Sequence, residues 1–328
     1  MIYIIGDTHI RKEEPYFSAV NQMFKELYSL CKSGDTIIQT GDFFHSYKPF
    51  PKEYSLAVYW IELFSLKGVK LLILSGNNAH EYHHLQKTYA IDPLESFKNV
   101  TLIKDIEVLT IEDISFLFLP WLPDSLIREK GFETIEDYLK SSIETSRLKE
   151  ISYFIYHYED ETVFMGGDNR GIDFSFVEEM IPGIIRIGGH IHLKSNNYIG
   201  TPFQMRFDEK GQAGEYFTIE SNKIIRHSFK QLIIHKELDF EEEVPIPEFD
   251  GQNFVLNIIN APSIDSVYEK FKKEHIFIND ISLKFSEKRI STLTEEIDSQ
   301  SSMKELLSEY ITINKVDKKT SEYLLSLF

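Results

Sequence analysis

Residues 2–9 read Ile-Tyr-Ile-Ile-Gly-Asp-Thr-His, an apolar run that stops at a glycine, an acid and an imidazole. The same design returns at 37–45 (Ile-Ile-Gln-Thr-Gly-Asp-Phe-Phe-His) and at 71–78 (Leu-Leu-Ile-Leu-Ser-Gly-Asn-Asn). Variants of it end in His157 and in the Gly-His-Ile-His of 189–192. Short runs of this kind, rich in isoleucine and bounded by turn residues, mark strands buried on both faces. We expect strands at 2–5, 36–40, 69–74, 100–104, 106–111, 114–119, 151–156 and 184–187. Phe17, Val20, Phe24, Leu27 and Cys31 recur at helical spacing, and further helices fit about 53–66 and 133–147. Such alternation predicts an α/β fold with helices packed over largely buried sheets. In such folds the loops at the carboxyl ends of the strands carry the site, and four of these five signatures fall there.

Those loops offer Asp7, His9, Asp42, Asn77, His157, His190 and His192. Carboxylate, amide and imidazole together suit manganese, iron or zinc better than a magnesium pair held by carboxylates alone. One Gly-Asp is usually a turn, and one histidine is usually a solvated or satisfied side chain. Five signatures in this order, at strand ends, point to a two-metal centre. A carboxylate can bridge two ions at the ~3.5–4 Å separation of such centres, where they activate water and neutralise phosphate charge.

The rest of the chain sets limits. Its 328 residues allow two or three domains. A single cysteine, Cys31, excludes an internal disulfide framework and fits a reducing compartment. The opening Met-Ile-Tyr-Ile-Ile is too short for a signal peptide, and no run approaches the ~20 apolar residues of a membrane span, so we expect a cytoplasmic protein without membrane contact. The net charge of −17 argues against strong DNA binding by this chain alone, unless bound cations and a partner supply positive charge. We expect a first domain over 1–236 and an acidic, proline-containing linker at 237–250. A small β-α-β capping module follows at 251–289, with strands near 254–259 and 281–285 and a helix at 266–271. A Ser/Thr/Glu-rich tether at 290–302 then leads to two short amphipathic helices within 303–328. Two such helices cannot bury their apolar faces alone, which suggests a docking partner.

The pattern GD-x-H, GD, GN, H, GH-x-H resembles the calcineurin-like metallophosphoesterases. Within them the details are similar to the DNA double-strand-break repair nucleases, the SbcD-type subunit of SbcC–SbcD complexes and its relatives. The residues that carry this are Gly-Asp-Phe-Phe-His-Ser-Tyr-Lys-Pro at 41–49 and Tyr-Ile-Gly-Thr-Pro at 198–202, followed by Arg206 and Phe207. The protein serine/threonine phosphatases differ, for this chain has Ile10 and no Asp-Arg-Gly. The resemblance covers residues 1 to about 220. It implies a two-sheet α/β sandwich core, a small α+β capping domain and a C-terminal helical pair. It implies one metal held by Asp7, His9, Asp42 and His192 and a second by Asp42, Asn77, His157 and His190, with Asp42 bridging. It further implies manganese as the ion, exonuclease and endonuclease activity, and His45 as a residue that positions the DNA end. The implied partners are an SMC-like coiled-coil ATPase, DNA ends, and a second copy of the chain paired near residues 49–64.

One position departs from the pattern. The family has His after the Asn of its third motif, where this chain has Asn78. That histidine faces the scissile phosphate, and asparagine can donate a hydrogen bond but not transfer a proton. Three readings stand: an introduced change that blocks cleavage, a natural change with His80, His83 or His84 supplying the proton, or a naturally weak scaffold. Alternatives for the whole chain are a phosphoesterase acting on small phosphodiesters or nucleotides, and a catalytically weak adaptor.

Overall fold

The computed structural model describes residues 1–145, 151–161, 171–195, 197–243, 252–271, 273 and 275–283. The tether and terminal helices expected at 290–328 lie outside the described residues. In chain order the elements are β1 (Ile2–Ile5), α1 (Tyr16–Leu30), β2 (Thr36–Gln39), α2 (Pro51–Lys67), β3 (Lys70–Leu74), β4 (Tyr82–His83), β5 (Thr88–Tyr89) and β6 (Val100–Ile103). Then come β7 (Glu107–Ile111), β8 (Ile114–Leu119), α3 (Asp124–Glu129), α4 (Ile135–Thr145), β9 (Ile151–Tyr156), α5 (Ser175–Met180) and β10 (Ile185–Gly188). The last are β11 (Glu215–Glu220), β12 (Lys223–Ser228), β13 (Ile233–Asp239), β14 (Asn253–Ala261), α6 (Ile264–Phe271) and β15 (Ile276–Leu283).

Two sheets stack. The first has the order β12-β11-β1-β2-β3-β6, with β1, β2, β3 and β6 parallel. The second has the order β10-β9-β8-β7, parallel except for its β7 edge. Alternation along each strand decides which residues meet between them. Ile2, Ile4, Ile38, Leu72 and Leu74 of the first sheet pack with Phe116, Phe118, Tyr153, Ile155 and Ile187 of the second. The odd partners, Tyr3, Ile5, Ile37, Leu71 and Ile73, face Val20, Phe24 and Leu27 of α1 and Ala57, Trp60 and Phe64 of α2. On the far side Leu117, Phe154 and Tyr156 meet Leu139 and Ile143 of α4 and Val177 of α5. The result is a helix–sheet–sheet–helix sandwich, the α/β class that the alternation predicts.

The helices and strands expected up to β10 have bounds within two residues of expectation, while β4, β5, α3 and α5 were not expected. The β11–β12 hairpin was not expected. Its register inserts Glu215–Glu220 antiparallel beside β1, with Ile219 opposite Ile2. Its turn at Ser221 and Asn222 takes positive φ at both residues (50° and 63°), the signature of a two-residue hairpin turn. Strand β13 runs to Asp239, three residues into the stretch read as linker. Strand β15 starts at Ile276, five residues before the expected 281, because its pairing begins where the Phe254 amide donates to the His275 carbonyl (2.8 Å). β13, β14 and β15 form a three-stranded sheet.

The chain divides into two units. The larger holds Met1–Glu237, Glu243–Asn257 and Phe271–Asn279, and the smaller holds Leu238–Glu242, Ile258–Lys270 and the described residues from Asp280 on. The site lies wholly within the larger unit. No helix among the described residues is long and apolar enough to cross a membrane.

Candidate metal centre

All five signatures sit at the carboxyl ends of parallel strands, one more than the sequence placed there. Asp7 and His9 follow β1, Asp42 follows β2, Asn77 follows β3, His157 follows β9, and His190 and His192 follow β10. The two sheets therefore deliver their loops to one edge of the sandwich. The β1 and β2 loops are laced together: the His9 amide donates to the Asp42 carbonyl (2.9 Å), and the Thr8 hydroxyl to the Phe43 carbonyl (2.9 Å). Three expected ligands, His9, Asp42 and His190, hold left-handed φ values of 43°, 51° and 76°. Non-glycine residues in that region cost of order 1–3 kcal/mol each and cluster at functional sites.

Two glycines make the convergence possible. A Cβ at Gly76 would lie 2.1 Å from Asp42 Oδ1, and one at Gly41 would lie 2.2 Å from His157 Nδ1. Only a bare backbone lets these loops close around the carboxylate.

Asp42 lies at the centre. Its Oδ1 accepts from the Asn77 amide (2.9 Å) and its Oδ2 from Asn77 Nδ2 (3.0 Å). His157 Nε2 stands 3.3 Å from Oδ1, and His9 Nε2 3.9 Å from Oδ2. Asp7 Oδ2 accepts from the His190 amide (2.8 Å) and lies 3.9 Å from His192 Nε2. Thus Asp7, His9 and His192 form one donor group, and Asp42, His157 and His190, with Asn77 Nδ2 3.2 Å from His190 Nδ1, form the other.

Three of the four imidazoles, all but His9, have an acceptor on one ring nitrogen. His157 Nδ1 donates to the Thr40 carbonyl (2.8 Å), His192 Nδ1 donates to Glu209 Oε1 (2.7 Å), and His190 Nε2 lies 3.3 Å from Glu159 Oε1. Fixing one ring N–H on an acceptor leaves the other nitrogen's lone pair for a metal.

Electrostatics agree with a site built for cations. Asp7 is pushed up to about 7 by burial and by the Asp42 carboxylate beside it. Burial works against ionised Asp42 too, but His157, His9 and His80 outweigh it and hold its carboxyl below the usual range. Burial holds His9 well below its ordinary value. Glu81, fully buried, is pushed up to about 8 by burial and Asp42. It accepts from the Phe44 amide (3.0 Å) and the Gly76 amide (2.6 Å), tying the Asp42 and Asn77 loops together.

The donor set fits two divalent ions. His9 Nδ1 and His157 Nε2 are buried without a hydrogen-bond partner among the described residues, and His9 and His192 face each other Nε2 to Nε2 at 3.0 Å. Two lone pairs at that distance call for a proton or a cation between them.

The other candidates separate. His45 and His80 line the cavity formed with His9, Asp42, Asn77, His190 and His192. Asn78 does not. It is exposed, its Nδ2 lies 3.3 Å from His84 Nε2, and it lines an adjoining depression that shares Asn77 and His190 with that cavity. His83 packs edge-on against Tyr47, with ring centroids 4.9 Å apart. Sequence reasoning missed Glu209, Glu81 and Arg11. Arg11 lines the same cavity with Arg206, stacks on Tyr16 at 3.4 Å, and keeps a buried Nε without a hydrogen-bond partner among the described residues. Only position would have found Arg11, two residues after His9, and nothing short of the fold would have found the glutamates.

A double sheet with acids, amide and imidazoles gathered at one edge is the architecture of a metal-dependent phosphoesterase. Residues 1–194 match the family described as calcineurin-like phosphoesterase, and the chain belongs to it. The family binds two divalent metals and hydrolyses phosphoesters. Solved structures resemble the chain distantly. A protein of unknown function from Aquifex aeolicus is 14% identical, over 53% of this chain and 83% of that one, with a TM-score of 0.28. A cold-active protein-tyrosine phosphatase of a Shewanella psychrophile is 13% identical, over 69% and 77%, with a TM-score of 0.32. At these scores neither likeness bears on substrate. No curated protein matches the chain.

Proposed function

We propose that this chain is a metal-dependent DNA phosphodiesterase, the nuclease subunit of an SMC-like ATPase–nuclease complex that processes DNA ends in recombination and repair. The reading rests on motifs that reach beyond the metal ligands. The segments 41–49 and 198–207, whose sequences set the SbcD-type nucleases apart, both contribute to the one cavity, through His45 and through Met205 and Arg206. Arg11 and Arg206 place guanidinium groups at the site of a chain that carries −17 overall, which suits a phosphate ester.

The metals would be held by Asp7, His9, Asp42 and His192 and by Asp42, Asn77, His157 and His190, with manganese the favoured ion. Bound there, two such ions supply Lewis acidity and offset phosphate charge. The chain's own residues orient the substrate. Arg11 and Arg206 take the phosphate oxygens, and His45 bears on the DNA end. Glu209, Glu159 and the Thr40 carbonyl hold the imidazoles in one tautomer. Asn78 leaves the third motif without its proton donor, so cleavage is slow. The terminal helices would dock on the ATPase, and α2, which exposes Tyr59 and Leu66, would pair two copies in the cytoplasm.

The test is hydrolysis of linear duplex DNA and of bis-p-nitrophenyl phosphate by the full chain with manganese, with and without the partner ATPase. DNA cleavage supports the reading. Cleavage of the small ester but never of DNA favours a small phosphodiester substrate, and no cleavage at full metal occupancy favours an adaptor. Asn78→His is expected to raise the rate about 10²–10⁴-fold. A flat rate at full occupancy would remove Asn78 as the cause of slow turnover.

A further inference from the structure

The cavity holds one histidine cluster of which the two-metal scheme uses only His9. His9, His45 and His80 each offer a ring nitrogen within 4.8 Å of the others. Their rings are in contact: His9–His80 centroids lie 4.4 Å apart, His45–His80 5.0 Å and His9–His45 5.4 Å.

The hydrogen bonds around the cluster leave those nitrogens bare. His80 Nδ1 lies 2.8 Å from the His45 carbonyl. A carbonyl only accepts, so Nδ1 carries the proton and neutral His80 presents a lone pair at Nε2. This is the arrangement seen at His157, whose Nδ1 donates to the Thr40 carbonyl. His45 Nδ1 is buried without a hydrogen-bond partner among the described residues, and so is His9 Nδ1, while His9 Nε2 faces His192. Buried polar atoms are satisfied in folded proteins, and a cluster of orphaned imidazole nitrogens is satisfied by a cation.

We infer that His9, His45 and His80 form a third cation position beside the two-metal centre, selective for an imidazole-loving divalent ion such as zinc or cobalt. Three imidazoles and an open fourth place are the donor set of zinc sites that keep a position for water or substrate. An all-imidazole set prefers cobalt or zinc to manganese or magnesium. His9 belongs to both donor groups, with Asp7 and His192 and with His45 and His80. The inference rests on the two-metal reading of the same cavity and gives His45 the role of a ligand, so that a DNA phosphate would meet it through the ion.

The test is native mass spectrometry of the full chain after dialysis against cobalt(II), together with the visible cobalt absorption. The inference expects three ions per chain in the unchanged protein and two in His80→Ala and in His45→Ala, with a matching loss of part of the absorption. Circular dichroism checks that each variant is folded, and either one suffices if the other does not fold. Two ions in the unchanged chain, or three retained in a folded variant, overturn the third position and leave the two-metal reading standing. No bound cobalt overturns both.

Discussion

Glu209→Gln isolates the support of the first metal from the metal ligands themselves. Glu209 is buried at 1% exposure, and its two oxygens accept three hydrogen bonds: from His192 Nδ1 (2.7 Å), the Thr201 hydroxyl (2.9 Å) and the Met205 amide (2.7 Å). A glutamine has one acceptor oxygen. If that oxygen stays on Met205 and Thr201, its NH₂ opposes the His192 N–H. If it stays on His192, the NH₂ opposes the Met205 N–H. Either way at least one hydrogen bond to a charged group is lost, about 1.5–3 kcal/mol of stability. Loss of the carboxylate that orients a ligating histidine costs about 10–100-fold in metal affinity, or about 1.4–2.7 kcal/mol. The second donor group does not touch Glu209, so its affinity should hold. Calorimetric titration of the metal-free protein with manganese separates the two sites, and a thermal melt reads the stability. Unchanged affinity at both sites in a folded variant, or weakening of the second site alone, would refute the reasoning. The pH dependence adds a check. Burial opposes ionisation of Glu209, but its bonds to His192, Met205 and Thr201 outweigh it and hold its carboxyl below the usual range. Its stabilisation is therefore present above its ordinary value of about 4.5 and lost as pH falls through the folded value. The glutamine variant should lack that acid-side loss.

Two further outcomes follow from the same geometry. In the metal-free protein Asp7 is raised to about 7, so its protonated form favours folding below its ordinary value of about 3.8, and that contribution disappears as pH rises through about 7. Metal binding must displace the proton, so manganese affinity should climb about tenfold per pH unit below 7 and level off above it. A flat affinity across pH 5–8, about the span titrated, would show that Asp7 is already ionised. Glu81→Ala strands the Phe44 and Gly76 amides, two buried donors at about 1–3 kcal/mol each. The expected loss in chemical denaturation is about 2–6 kcal/mol, accompanied by weaker binding at Asn77 and Asp42, and a loss well under 1 kcal/mol would show that water replaces the carboxylate.

The sequence by itself marked β1, β2, β3 and β6 to β10 and the seven residues that the fold brings together at their ends. It could do so because a strand buried on both faces is a continuous apolar run, and because a ligand loop needs glycine where another backbone approaches, as at Gly41 and Gly76. The β11–β12 hairpin was not legible in the same way. Its outer strand Lys223–Ser228 is largely exposed, and only pairing with β11, which itself pairs with β1, gives it a place. Tertiary structure alone decided what supports the ligands. Glu209, Glu81 and Arg11 each make at least one of their contacts 17 to 194 residues away in sequence, where no local pattern marks them. It also decided the fate of the three histidines after the third motif. By spacing, His80, His83 and His84 look alike. The turn that the Asn77 carbonyl makes with the His80, Glu81 and Tyr82 amides sends His80 inward against His9 and leaves His84 outside with Asn78, because Glu81 must reach back into the core to hold the loops together.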